Sequence, residues 1–339
     1  MSNNEVWLMN LETGIRASSQ SSCFLCGSGG LFVYERLTDR LFDAPGMWGF
    51  RRCKNPDCGL VWLDPMPLEE DLSKAYETYY THGEEQGIAR DSIDLSRFVK
   101  TGVERIYNLL LWTTTLGFER HHLNLMYLHR SRPGRLLEIG CGNGQRLALL
   151  KELGWTVEGQ EVDAKAAAVA QAASGVTIHV GALRALPLAE HTFDAIVMNH
   201  VIEHVHDPTT LMARCRELLK PDGQMMLVTP NIRSYGHRQF GRSWLGIDPP
   251  RHLHLFSTET LTAVAKKAGF SVCDAWTTAA NAQTVAVGSL GIMRRGRHSL
   301  ATGSGLRTHL SAALFQLWAR LAFARDPASG EECVLRAKR

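Results

Sequence analysis

The stretch Leu136-Leu137-Glu138-Ile139-Gly140-Cys141-Gly142-Asn143-Gly144 decides how the chain folds. Its apolar start, from Arg135 to Ile139, reads as a buried strand. The strand turns through three alternating glycines into a helical pattern over Asn143 to Leu153, closed by Gly154. Glycines permit the φ-positive backbone of so tight a turn, and they let a ligand come close. A dinucleotide fingerprint would place its third glycine one position later, where Gln145 stands, so the loop is not of that kind. A second strand, Thr156 to Gln160, leads into Glu161, which is placed to take both hydroxyls of a ribose.

The same rhythm continues outward. Ala164 to Ala173 reads as a helix and Val176 to Val180 as a third strand. Phe193 to Asn199 is a fourth strand, and Pro208 to Leu219 a helix with proline in its first turn. After Pro221-Asp222-Gly223 comes a fifth strand, Gln224 to Thr229, and then a helix, Thr258 to Ala268, closed by Gly269. Strands alternating with helices predict an α/β, Rossmann-like, doubly wound parallel sheet whose ligand site lies at the carboxyl ends of its strands. The domain boundaries follow from composition. Residues 1–67 form a small Cys- and Gly-rich unit, 68–130 a helical cap or linker, and 131–339 the sheet domain. The last of these has a helical insertion at about 284–330 and a closing strand around Cys333-Val334-Leu335.

Composition narrows the function. The chain has 339 residues, 37 Lys plus Arg against 34 Asp plus Glu, and a net charge of +3. That balance does not suggest a dedicated nucleic-acid binder. The amino-terminal sequence has no basic n-region followed by an apolar run, so no signal peptide is expected and a cytoplasmic location follows. Leu310 to Ala324 is too short and too interrupted to span a bilayer. It reads as an amphipathic packing helix, with attachment to a membrane surface left open by Arg294, Arg295 and Arg297 just upstream. From Arg294 to Arg339 there are nine Lys or Arg against three Asp or Glu, so the carboxyl-terminal segment is basic.

Four of the eight cysteines fall in two close pairs, Cys23/Cys26 and Cys53/Cys58, each followed by glycine. Two such knuckles fit one tetrahedral structural zinc, a zinc ribbon with no open coordination position. Cys141, Cys215, Cys273 and Cys333 are isolated and read as small buried hydrophobes.

With the glycine loop, the run ELGWTVEGQEVD (152–163) and the run FDAIVMNHVIEHVHDP (193–208), the sequence resembles the class I S-adenosylmethionine (SAM) methyltransferases. The resemblance covers about Gly134 to Gly269. It implies that Gly140, Gly142 and Gly144 line the methionine and ribose of SAM, and that Glu138 acts near the amino group. It also implies Glu161 on the ribose, Leu183 beside adenine and Asn199 closing the far side. At both ends the chain is similar to methyltransferases of bacterial cell-surface and secondary-metabolite sugar pathways. The residues concerned are CGLVWLDPMP (58–67), Tyr76, Tyr79, Tyr80 and His82, then PRHLHLFS (250–257) and GEECVLRAKR (330–339). That similarity implies a small-molecule or glycan acceptor, a nucleotide- or lipid-linked sugar hydroxyl being the first choice. An RNA methyltransferase gripping RNA with the ribbon, and a regulatory SAM binder without chemistry, remain as rivals.

His200-Val201-Ile202-Glu203-His204 matches an inverted zinc-protease pattern by letter, but it sits at a strand end and turn rather than inside a long helix. Three readings stay open. Glu203 and His204 fix the loop, or His200 or His204 is a general base, or the segment resembles the metal-binding Glu-x-x-Glu-His of ubiquinone-type O-methyltransferases. In that last motif His200 replaces the first Glu. A hydroxyl is a poor nucleophile until its proton leaves, which is work suited to a histidine. For acceptor contact the candidates are His252 and His254, which share one face if extended, with Arg251 on the other face and Tyr80 in the cap.

Overall fold

A computed structural model describes residues 14–76, 115–298 and 305–339. Five short strands come first: β1 (Ala17–Ser18), β2 (Gly30–Leu37), β3 (Trp48–Cys53), β4 (Val61–Leu63) and β5 (Met66–Pro67). The sheet domain follows with α1 (Thr115–Asn124), β6 (Arg135–Ile139), α2 (Gln145–Glu152), β7 (Thr156–Glu161), α3 (Ala164–Ser174), β8 (Thr177–Val180) and β9 (Phe193–Asn199). It continues through α4 (Pro208–Leu218), β10 (Leu219–Pro230), α5 (Tyr235–Phe240), β11 (His254–Leu255), α6 (Thr258–Lys267) and β12 (Val272–Thr278). It closes with α7 (Ala282–Arg295), α8 (Leu306–Arg325) and β13 (Glu332–Lys338).

Seven strands form the main sheet in the order β12-β13-β10-β9-β6-β7-β8. Strands β8, β7, β6, β9 and β10 run parallel. Leu136, Leu137 and Ile139 of β6 are buried on both faces, as a central parallel strand requires. Each buried leucine contributes about 2 kcal/mol. The chain leaves β6 toward β7 on one side and returns as β9 on the other. The order therefore reverses at β6, and the crevice beyond β6 and β9 is where a ligand site forms.

The sheet departs from the wholly parallel expectation at one strand. β13 runs antiparallel to both β10 and β12. β10 also starts earlier than expected, at Leu219, and its register shifts between Leu219 and Gln224, where Pro221-Asp222-Gly223 interrupts it. Local signals set the helix ends. Asp163 accepts from the Lys165 amide at the start of α3 and Gly175 closes that helix with φ +62°. Asp207 caps α4 with Pro208 in its first turn, and Ser257 and Thr260 form a capping box on α6.

The amino-terminal sheet has four strands in the order β11-β4-β3-β2. One of them, β11, comes from the sheet domain and pairs with Val61 and Trp62 of β4. Leu63 N donates to Leu253 O at 2.9 Å, and Leu253 N donates to Glu203 O at 2.7 Å. Cys23, Cys53, Leu60 and Trp62 pack in one core cluster with Leu137, Ile139 and Met198. The cysteine-bearing unit is thus sewn into the sheet domain by backbone pairing and a shared core.

Candidate cofactor and acceptor site

The three loop glycines have different reasons to be glycine. All have positive φ: +63° at Gly140, +53° at Gly142 and +76° at Gly144. A Cβ on Gly140 would lie 2.6 Å from Val201 Cγ2, and one on Gly144 would lie 3.0 Å from Ala170 Cα. A Cβ on Gly142 would meet nothing within 4 Å. The loop is therefore packed from behind at its ends and open at its middle, where a ligand can lie against bare backbone.

Two acidic side chains flank this opening. Glu161 Oε2 accepts from Gly142 N at 2.9 Å, while its Oε1 accepts from Val162 N at 2.8 Å and Asp163 N at 3.1 Å. This carboxylate fixes the loop as well as standing at the end of β7. Glu138 is buried in β6; its Oε1 pairs with Arg146 at 3.0 Å and its Oε2 has no hydrogen-bond partner. Burial pushes the Glu138 pKa up to about 7, although Arg146 opposes the shift. Such a carboxyl gains when a cation reaches Oε2. Arg146 was not among the residues singled out from sequence; a buried Glu on the strand entering the loop, needing a counter-charge, was the available signal. Gln160 ties the floor together, accepting from Gly140 N at 3.2 Å and donating to Gly181 O at 2.6 Å. Leu183 is buried just beyond β8 and Asn199 is half-buried at the end of β9. All seven residues assigned to the cofactor thus gather at the carboxyl edge of the strands. A cleft of about 860 Å³, lined among others by Arg132, Trp155, Asp194 and Lys220, opens at the opposite edge and is a separate feature.

Beyond β9 the chain turns sharply, with φ +54° at His200. His200 Nε2 bonds Glu332 Oε1 at 2.9 Å, and its Nδ1 lies 3.2 Å from Glu203 Oε1. Burial would lower its pKa, but the two carboxylates overcome this and hold it up at about 10. Asn281 Nδ2 steadies Glu332 at 3.1 Å. Fully buried Glu203 would have its pKa raised by burial, but His200 and His204 bring it down to about 2. Its Oε2 accepts from Thr229 Oγ1 at 2.9 Å. The two carboxylates thus favour the imidazolium form of His200, which argues against the general-base reading for this residue. His204 differs: burial first, then His252, lowers its pKa to about 4, so it stays neutral. Its Nδ1 lies 3.0 Å from Arg251 O and 3.0 Å from Tyr76 Oη, leaving Nε2 as the lone-pair nitrogen.

Glu203, His204 and His252 bring their donor atoms within 4.8 Å of one another. Two imidazoles and one carboxylate are a donor set that a divalent ion can use, but Glu203 Oε1 also lies 3.2 Å from His200 Nδ1, so an ion and a protonated His200 would compete for that oxygen.

The substrate-side expectations need correction. Arg251 is fully buried, pairing with Asp39 at 2.7 Å and with Asp248, and donating to Ala75 O at 3.0 Å. It has no free face for an acceptor; it ties the segment before β11 to the segments that follow β2 and β5. His254 is buried in β11 edge-on to Phe24, with ring centroids 4.8 Å apart. It is a packing residue. His252 does not share a face with it: its Nδ1 donates to Gly246 O at 2.8 Å and its ring meets His204 at 4.7 Å. Tyr80, with Tyr79 and His82, lies outside the described residues. Tyr76, the neighbouring tyrosine, reaches His204.

The four ribbon cysteines come together. Sγ separations are 3.7 Å for Cys23–Cys58 and 3.3 Å for Cys26–Cys53, and all four sulfurs lie within 4.8 Å of one another. Zinc–sulfur bonds of about 2.3 Å in a tetrahedron would separate sulfurs by about 3.8 Å. The donor set therefore fits one zinc. Gly27 and Gly59 adopt φ +76° and +66° behind their cysteines, as the knuckle turns require. Of the isolated cysteines, Cys141, Cys215 and Cys333 are buried as expected, and Cys273 is half-buried.

Residues 118–275 match the family model described as a methyltransferase domain. The chain thus carries a class I SAM-dependent methyltransferase domain on a Rossmann-like sheet. It is 34% identical over 151 residues to the ubiquinone biosynthesis O-methyltransferase of Cereibacter sphaeroides, covering 41% of this chain and 61% of that protein. It is 32% identical over 162 residues to a probable SAM-dependent methyltransferase of Mycolicibacterium smegmatis, covering 46% of this chain and 60% of that one. The chain therefore spans about three-fifths of the length of these curated relatives. Among solved structures it is similar to phosphoethanolamine N-methyltransferase 2 of Haemonchus contortus, at 16% identity and TM-score 0.48, covering 88% of this chain and 71% of that one.

Proposed function

We propose that the protein transfers the methyl group of SAM to a hydroxyl of a small polar acceptor of the nucleotide- or lipid-linked sugar kind. The observation that carries this reading is the crevice beyond β6 and β9. Open backbone at Gly142 lies between a buried carboxyl with a spare oxygen, Glu138, and the Glu161 carboxylate. That set suits the methionine ammonium and the ribose of SAM. The hydroxyl acceptor is supported by relatives named O-methyltransferase and by a neutral histidine beyond the same crevice. A sulfonium methyl is already activated, so the protein's main task is in-line placement. His204 would then take the hydroxyl proton on Nε2, with Nδ1 held by Arg251 O. His200, 38% exposed, would present a positive charge rather than a base. The ribbon would hold structural zinc on Cys23, Cys26, Cys53 and Cys58, in a site without an open position for chemistry.

The test is transfer of labelled methyl from SAM into a fractionated extract, with mass analysis of the product. His204→Gln should lower turnover by about 10² to 10⁴ with SAM affinity unchanged. Label appearing in RNA would overturn the acceptor. Retained SAM with no label in any fraction would overturn catalysis.

A further inference from the structure

We propose that the outward face of α8 docks on an anionic lipid surface. The helix has two contrasting sides. Its inner side is small and polar: Thr308, Ala312, Gln316 and Ala319 are buried. Gln316 locks that side by donating to Ala279 O at 2.8 Å and accepting from Gln283 N at 3.0 Å. The outer side carries Leu306, Leu310, Leu314, Leu317, Trp318 and Leu321, which are 46% to 63% exposed. Their spacing puts them in one stripe along a helix of 20 residues, about 30 Å long. A continuous apolar patch of this kind on a folded surface marks an interaction site.

Charge selects the occupant. α8 contains Arg307, Arg320 and Arg325 and no Asp or Glu, and Arg294, Arg295 and Arg297 lie at and beyond the end of α7. Glu119 answers Arg320 and Asp43 answers Arg297. Among the described residues, no ion pair engages Arg294, Arg295, Arg307 or Arg325. A second copy of the chain would bring the same arginines against the same leucines, with no acid on the helix to meet them, and like charges at an interface are costly. An anionic bilayer meets both demands: phosphate charge for the arginines, and acyl depth for the leucines and Trp318. No helix among the described residues is long and apolar enough to cross a membrane, so the helix would lie in the interface plane. The proposal stands apart from the methyl-transfer reading.

The test is sedimentation of the full chain with vesicles of phosphatidylcholine, with and without phosphatidylglycerol. Binding should need the anionic lipid and weaken as salt rises. Leu314→Glu/Leu317→Glu and Arg295→Glu/Arg307→Glu should each bind at least about tenfold more weakly. These exposed positions should leave the thermal melt unchanged. Three results would overturn the proposal: no sedimentation with phosphatidylglycerol vesicles, full binding by the leucine variant, or a dimer in light scattering that the leucine variant makes monomeric.

Discussion

Glu138 gives the sharpest test of the cofactor site, because its ionisation must change when SAM binds. The group is buried, spends one oxygen on Arg146 and leaves Oε2 without a partner. Burial puts its pKa at about 7. At pH 5 only about 1% of it is ionised in the empty site, while the bound ammonium demands the carboxylate. Affinity for SAM should therefore rise with pH by up to about tenfold per unit below 7, or about 2.7 kcal/mol between pH 5 and 7, and then level off. Titration calorimetry in buffers of different ionisation heat should show about one proton released per SAM bound at pH 6. Glu138→Gln should abolish the slope and weaken binding at pH 8 by about 1–3 kcal/mol. The empty protein gives an independent reading. A folded-state pKa above the ordinary carboxyl value of 4.5 means that the folded chain keeps a proton the unfolded chain has lost. Stability of the empty protein should fall by about 3 kcal/mol as pH rises from about 4.5 to 7. Affinity that stays flat from pH 5 to 8, or a slope that survives Glu138→Gln, refutes the placement of the ammonium.

Arg251→Ala should cost about 3–5 kcal/mol in urea unfolding, because it strands the buried carboxylates of Asp39 and Asp248; a variant of full stability but impaired acceptor affinity would restore the substrate role. Gly144→Ala should lower the melting temperature through contact with Ala170 and left-handed strain of about 1–3 kcal/mol. Gly142→Ala should cost about 1 kcal/mol in stability but block SAM, so a calorimetric affinity equal to wild type would show that the opening is not the cofactor's. Metal analysis should find about one zinc per chain, and chelation should lower the melting temperature; a metal-free chain melting at the same temperature would remove the ribbon.

Elements whose cause is local were legible in the sequence. The run Arg135 to Ile139, the glycine turn, Pro208 in the first turn of α4 and Gly269 after α6 all act within a few residues, and the elements form where they indicate. What the sequence hid depends on distant partners. β13 enters between β10 and β12, a choice made by packing and not by its apolar pattern. β11 is two residues long, too short for any period to show. Arg251 reads as an acceptor contact beside His252 and His254, but it finds Asp39 212 positions away and is swallowed by the core. His200 reads as a candidate base, and Glu332, 132 positions later, favours its charged form instead. The cysteine pairs were legible because knuckle spacing is itself local.

The pairing of β11 with β4 joins the cysteine cluster to the crevice along a very short path. From Cys58 the chain reaches β4 within three residues, and two backbone hydrogen bonds, Leu63 to Leu253 and Leu253 to Glu203, complete the connection. The ribbon is therefore no appendage that could be shed with the active edge left intact. Loss of metal from the thiolates would therefore slacken the strand on which the Glu203 turn leans and loosen the core it shares with β6 and β9.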